Sequence, residues 1–202
     1  MKKNILVIAL LTLIVSTNQA QTEFGKRLAD SAFTLTKQKV TYDPAYFQIK
    51  YPNGDVPGDK GVCTDVIIRA YRKVGIDLQK KVHEDIKTNF DNYPKYWKLK
   101  KPDTNIDHRR VPNLMVFFAK YGKVKQLTLK STDYLPGDIV CWNLGGAITH
   151  IGLVSNKKTP DEKRYFMIHN IGQGQVLEDC LFKYKIIGHY NFLIGKDKRT
   201  DN

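Results

Sequence analysis

The chain is poor in sulfur, in acidic residues and in long apolar runs. Only three cysteines occur, at positions 63, 141 and 180. An odd count precludes a fully paired disulfide framework and leaves at least one free thiol. No C-x-x-C or H-E-x-x-H spacing is present, so the sequence gives no specific metal site. Past the first twenty residues no stretch approaches the ~18 apolar residues that a membrane-spanning helix requires. Repeats and low-complexity tracts are also missing, which excludes solenoids. Aspartate and glutamate number 20 against 33 lysines and arginines, giving a formal charge of +13.

What is present begins with an export leader. Met1-Lys2-Lys3 is basic, residues 5–15 are apolar, and residues 16–20 are small or polar. This pattern predicts a signal peptide over 1–20 with cleavage after Ala20, although Asn18 is not the usual small residue three positions before the cut. The apolar run is too short to span a bilayer, so no integral membrane segment is expected once the leader is removed. The expected product is a secreted or periplasmic bacterial protein. Residues 21–202 are enough for one domain with its own core, read as a monomer. Its basic charge suits an anionic partner, of which a cell-wall polymer fits an exported protein. The lysines are scattered and no arginine-aromatic array appears, so a nucleic-acid partner is not expected.

Periodicity predicts helices over 24–39, 63–74, 82–90 and 113–120, with a turn-rich loop over 42–59. Strands are predicted near 124–129, 138–143, 147–154, 164–169 and 185–194. A helical part (21–122) followed by a β part (123–195) linked by short turns is the pattern of an α+β fold with an antiparallel sheet.

Gly61-Val62-Cys63-Thr64-Asp65 leads directly into the second helix. Residues 63, 66, 67, 70, 71 and 74 share one face, so the Cys63 sulfur should point toward whatever the helix packs on. The partial positive charge and free N–H groups of a helix N-terminus lower a thiol pKa and can hold an oxyanion. The alternative is a small buried hydrophobe, the usual state of a free cysteine. Cys141 and Cys180 could pair or could both be buried thiols.

A base for the thiol is sought in the strands. Alternation puts Ile148, His150, Gly152 and Val154 on one face of their strand. A hairpin symmetric about Thr159-Pro160 makes His150 and His169 cross-strand neighbours, with Cβ atoms roughly 5 Å apart. One imidazole can take a thiol proton while the other holds its ring and tautomer. The alternative is two histidines at a wet sheet edge.

The Cys-led helix, Leu135-Pro136-Gly137-Asp138-Ile139-Val140, Thr149-His150-Ile151-Gly152-Leu153-Val154 and Met167-Ile168-His169-Asn170 stand in the order found in the NlpC/p60 cysteine peptidases. Over about 42–193 the chain resembles that papain-like group. It is most similar to an exported bacterial family numbered 1287 among domains of unknown function. The resemblance implies a secreted amidase or endopeptidase acting on peptidoglycan stem peptides without a cofactor. It assigns Cys63 as nucleophile, His150 as general base and His169 as orienting residue. Tyr51 lies in the loop where that group places a tyrosine near the oxyanion, and it could equally be a loop aromatic packed on the core. The Cys63 N–H would be the other donor.

The flank departs from the pattern, because Val62 precedes the cysteine and Thr64-Asp65 follow it. Asp65 should cap the helix or anchor the preceding loop and not touch the sulfur. The segment 80–112 has no counterpart in the compact core of that group. Within it, Arg109 or Arg110 could hold a substrate carboxylate bidentately. The alternative is capping plus a surface ion pair. His83, His108 and His189 receive no catalytic role. Competing functions are acyl or amide transfer by the same thiol chemistry, a non-catalytic wall-binding module, and a charge-driven binder of anionic surfaces.

Overall fold

The computed structural model describes residues 22–96 and 99–192. The expected leader over 1–20 and positions 193–194 of the last expected strand fall outside the described residues. Four helices are present: α1 (22–35), α2 (Cys63–Lys73), α3 (Leu78–Thr88) and α4 (Val111–Tyr121). Two short strands, β1 (Thr41–Tyr42) and β2 (Lys60–Gly61), pair in parallel ahead of α2. The remaining strands are β3 (Lys123–Val124), β4 (Ile139–Asn143), β5 (Thr149–Lys158), β6 (Tyr165–His169), β7 (Val176–Glu178) and β8 (Lys185–Asn191). They form one antiparallel sheet in the order β3-β8-β4-β5-β6-β7. The protein is therefore α+β, as the run of helices before strands predicts. Among the described residues no helix is long and apolar enough to cross a membrane.

Strand alternation divides the sheet's side chains between two cores. Ile139, Cys141, Ile151, Leu153 and Ile168 pack with the buried faces of the helices. Val140, Trp142, Val154 and Met167 point the other way and join Tyr134, Cys180 and Leu181 in a smaller core. Cys141 and Cys180 thus lie on opposite sides of the sheet. All three cysteines are free thiols, so the pairing left open by the sequence does not form.

Helix α2 forms because its apolar positions recur at helical spacing: Val66, Ile67, Ala70 and Tyr71 are all fully buried. Each large side chain among them contributes about 1.5–3 kcal/mol. The helix stops where Gly75 adopts a positive φ of 85°, which a side chain would resist. Helix α3 starts four residues earlier than its periodicity suggests. Asp77 caps it by accepting the Lys80 N–H at 3.0 Å, and Leu78, Val82 and Ile86 make one buried stripe.

The expected strand over 124–129 is reduced to two residues. Val124 still pairs with Tyr190, but it and the following Leu127 and Leu129 are exposed. Local bonds hold the chain away from the sheet edge: Thr128 donates its hydroxyl to Asp133, and Tyr134 donates to the Thr128 carbonyl at 2.8 Å. Strand β7 has no counterpart in the sequence reading, because Val176-Leu177-Glu178 is too short to show a period.

Candidate functional site

Parallel pairing of Thr41 with Lys60 and Tyr42 with Gly61 fixes the backbone two residues before Cys63. The Asn170 side chain donates to the Gly61 carbonyl at 3.1 Å and ties the end of β6 to the same segment. Asp65 accepts the Val62 N–H at 2.7 Å, which is the capping role expected of it. These contacts place Cys63 at the first position of α2, with its sulfur against β5. The backbone N–H groups of Ile151, Thr64 and Cys63 itself favour its thiolate. Burial outweighs all three and pushes the thiol up to about 12, so the resting sulfur is neutral.

The histidines lie one residue along β5 and across on β6. His150 Nε2 and His169 Nδ1 are 2.8 Å apart, with the rings edge to face. The register differs from the symmetric hairpin by two residues: Leu153 pairs with Ile168, so Gly152 stands opposite His169. A two-residue slip preserves the face, and the imidazoles meet as diagonal neighbours. Gly152 makes the meeting possible. A Cβ there would come within 3.0 Å of the Trp142 ring and 3.2 Å of His169 Cβ. Trp142, paired with His150 across β4 and β5, stacks on its ring at 5.7 Å.

No hydrogen bond joins Cys63 to either imidazole among the described residues. Alternation explains this: Ile151 faces the helices with Cys63, whereas His150 and His169 leave the sheet on the Trp142 side. The thiol and the base therefore meet the same stretch of β5 from its two sides. Among the described residues His150 Nδ1 has no hydrogen-bond partner. It is the nitrogen left over for a thiol.

Beyond His169 the line continues through residues that the sequence reading missed. His169 Nε2 is 3.0 Å from Glu178 Oε2 and 3.4 Å from the Cys180 sulfur. Lys183 holds the other Glu178 oxygen at 2.9 Å. Lys183 first, and His169 after it, keep Glu178 below the usual carboxylate range. An ionised Glu178 accepts a hydrogen bond from His169 Nε2–H, which leaves His169 Nδ1 to accept from His150 Nε2. His150 Nδ1 then carries a lone pair and can take a proton. Burial, with His169 next to it, pushes His150 down to about 3, so it is neutral at rest. The signal for Glu178 and Cys180 was the i, i+2 spacing of 176, 178 and 180, visible only once β7 is known to pair with β6.

Two expected site residues are placed elsewhere. Tyr51 packs edge-on against His83 at 5.1 Å, over α3 and away from the cysteine. The tyrosine in the field of the Cys63 thiol is Tyr42, whose own pKa is raised by burial, then by Cys63 and Asp65. Arg109 is fully used inside the fold. It clasps Asp65 with bonds of 2.9 and 3.0 Å and donates to the Ala45 carbonyl at 3.0 Å. Its side chain is 1% exposed, so it cannot receive a substrate carboxylate, and its ion pair is buried rather than superficial. His189 is structural, stacked on Tyr134 and 2.9 Å from Asp138 of the Pro-Gly-Asp turn.

A family profile described as "Domain of unknown function (DUF1287)" matches residues 29–192. The chain is 43% identical over 205 residues to a protein of Escherichia coli (strain K12) called "Uncharacterized protein YijF", covering 96% of this chain and 100% of that one. No solved structure matches it. The matched span holds Cys63, both paired histidines, Glu178 and Cys180, and on that span the chain belongs to the DUF1287 family.

Proposed function

We propose that the protein is an exported cysteine amidase or endopeptidase with an NlpC/p60-like, papain-type architecture, acting on amide bonds of peptidoglycan stem peptides. One observation carries the reading. A cysteine at a helix N-terminus is met by three backbone N–H groups, one residue along the strand from an imidazole whose far nitrogen is held by a second imidazole. These are the two parts an activated thiol needs, a nucleophile beside N–H donors and an oriented base.

In this mechanism the Cys63 proton passes to His150 Nδ1 as the sulfur adds to the scissile carbonyl carbon. The transfer requires a movement of the start of α2 or of β5 that brings the Cys63 sulfur within hydrogen-bond reach of His150 Nδ1. The Cys63 N–H and the Tyr42 hydroxyl hold the developing oxyanion. His150 returns the proton to the departing amine, which leaves a thioester. Water, deprotonated by His150, then releases the acid. His169 orients His150, and Glu178 fixes both tautomers. The formal charge of +13, which is +11 once Lys2 and Lys3 leave with the leader, favours an anionic polymer as substrate.

The test is mass spectrometry of purified wall fragments incubated with the wild type and with Cys63→Ala. New fragments that carry a free amine and a free carboxylate at one amide, present only with the wild type, support the reading. Identical fragment spectra from both proteins refute it.

A further inference from the structure

On the far side of His169 from His150, three ligand-bearing side chains converge. His169 Nε2, a Glu178 carboxylate oxygen and the Cys180 sulfur lie within 4.8 Å of one another. Strand geometry produces the cluster. Met167 pairs with Glu178 and His169 with Val176, so residues 167, 169, 176 and 178 share one face, and Cys180 continues it. The donor set is one imidazole nitrogen, one thiol and one carboxylate, which suits a borderline-soft divalent ion and is poor for magnesium or calcium.

The spacing fits as well. A tetrahedral zinc with Zn–N of about 2.0–2.1 Å and Zn–S of about 2.3 Å holds those two atoms about 3.6 Å apart, and a nitrogen and an oxygen ligand about 3.4 Å apart. The corresponding separations here are 3.4 and 3.0 Å. Those two pairs need shifts of only a few tenths of an ångström, while the oxygen and the sulfur, within 4.8 Å of each other, must draw to about 3.6 Å. His169 and Cys180 are buried, while the Glu178 side chain is 31% exposed and leaves a path for a water as fourth ligand. Lys183 engages only Glu178 Oε1, and the oxygen that faces His169 is Oε2.

We propose that His169 Nε2, Glu178 Oε2 and the Cys180 thiolate form a zinc-class site that shares His169 with the histidine pair. Binding displaces the Cys180 proton to solvent. It also requires a lone pair at His169 Nε2, so the His169 proton moves to Nδ1 and donates to His150 Nε2. The His150 proton then sits on Nδ1. In the hydrolase reading, on which this last consequence rests, that is the nitrogen that must be vacant. Zinc occupancy and thiol activation therefore exclude each other.

The experiment uses the full chain, stripped with a chelator and dialysed. Calorimetry with zinc should give one equivalent. Cobalt should give the visible bands of a tetrahedral ion and a near-ultraviolet thiolate charge-transfer band. Cys180→Ala and Cys180→Ser should both lose that band. Glu178→Gln should bind zinc about 10- to 100-fold more weakly, and Cys63→Ala should keep one equivalent and the band. Histidine nitrogen NMR, which needs no substrate, should show His150 passing from an Nε2–H to an Nδ1–H tautomer as zinc is added. No stoichiometric binding, a charge-transfer band that survives both Cys180 variants in folded protein, or its loss in Cys63→Ala would overturn the site. An unchanged His150 tautomer in zinc-loaded protein would overturn the coupling. Absence of hydrolysis in the wall-fragment assay would leave these binding results standing and count only against the hydrolase reading.

Discussion

The two faces of the central sheet are built on different principles. On the helix side the packing is apolar and aromatic, and the candidate nucleophile is a single thiol that backbone N–H groups face. On the other side a chain of polar groups runs from His150 through His169 and Glu178 to Lys183, with Trp142 as its apolar wall. The nucleophile candidate is supplied by a helix and the base candidate by side chains across two strands. Neither face alone can activate a thiol. Keeping them apart leaves both groups neutral at rest, the thiol raised and the imidazole lowered. A buried thiolate–imidazolium pair without substrate would carry a desolvation cost that this arrangement avoids.

The sharpest way to break the comparison is to remove one face at a time. His150→Ala removes proton transfer and is expected to lower the rate of stem-peptide cleavage about 10²- to 10⁴-fold, with the fold retained by circular dichroism. His169→Ala should lose less, and His169→Gln should recover part, because an amide can still accept the His150 N–H. Full activity in His169→Ala would dissolve the relay.

The next effect is on stability and belongs to the helix side. Arg109→Ala strands Asp65 as an uncompensated buried charge. It should cost about 3–5 kcal/mol in urea unfolding. A loss confined to activity, with an unchanged urea midpoint, would mean that Arg109 serves substrate after all.

A third test separates the faces by pH. His150 on the strand side and His108 under the helices are both pushed down to about 3, chiefly by burial. Above pH 6.5 these histidines are neutral in folded and unfolded chains alike. Below it the unfolded chain binds protons that the folded one refuses, so stability should fall steadily from pH 6.5 toward 3. The raised Asp107 opposes this trend at its acid end. His150→Gln should flatten the slope of urea midpoint against pH, and an unaltered slope would show that the ring is not held neutral.

Glu178→Gln is expected to be milder, about tenfold in rate, since it removes the selection of tautomers and leaves the base in place. The smallest difference is in labelling. At pH 7 iodoacetamide should react slowly with all three thiols, with Cys63 first, because it is 7% exposed against 2% for Cys180 and 0% for Cys141. Cys180 reacting before Cys63 would shift the nucleophile to the other face.

Much of the helix side was legible in the sequence, because its signals are local. The 3.6 spacing after Cys63, the Gly75 stop and Asp65 three residues after Val62 act within one or two turns. The parity that puts His150 and His169 on one face is local too, and it survived a register two residues away from the symmetric one. What failed was set by contacts distant along the chain. Arg109 reads as a surface cation until the segment before α4 folds over the start of α2 and closes it on Asp65. Tyr42 sits within a loop-like sequence, and only the parallel pairing with Gly61 brings it beside Cys63.

By itself, then, the sequence determined the α+β order of elements, the thiol at a helix start and the shared face of two histidines, since periodicity and chain direction carry each of these. Tertiary structure alone decided which side of β5 meets the sulfur and which meets the imidazoles, and that Glu178 and Cys180 extend the histidine line. Those depend on pairing between strands, whose register comes from packing across the whole sheet and leaves no mark within any one segment.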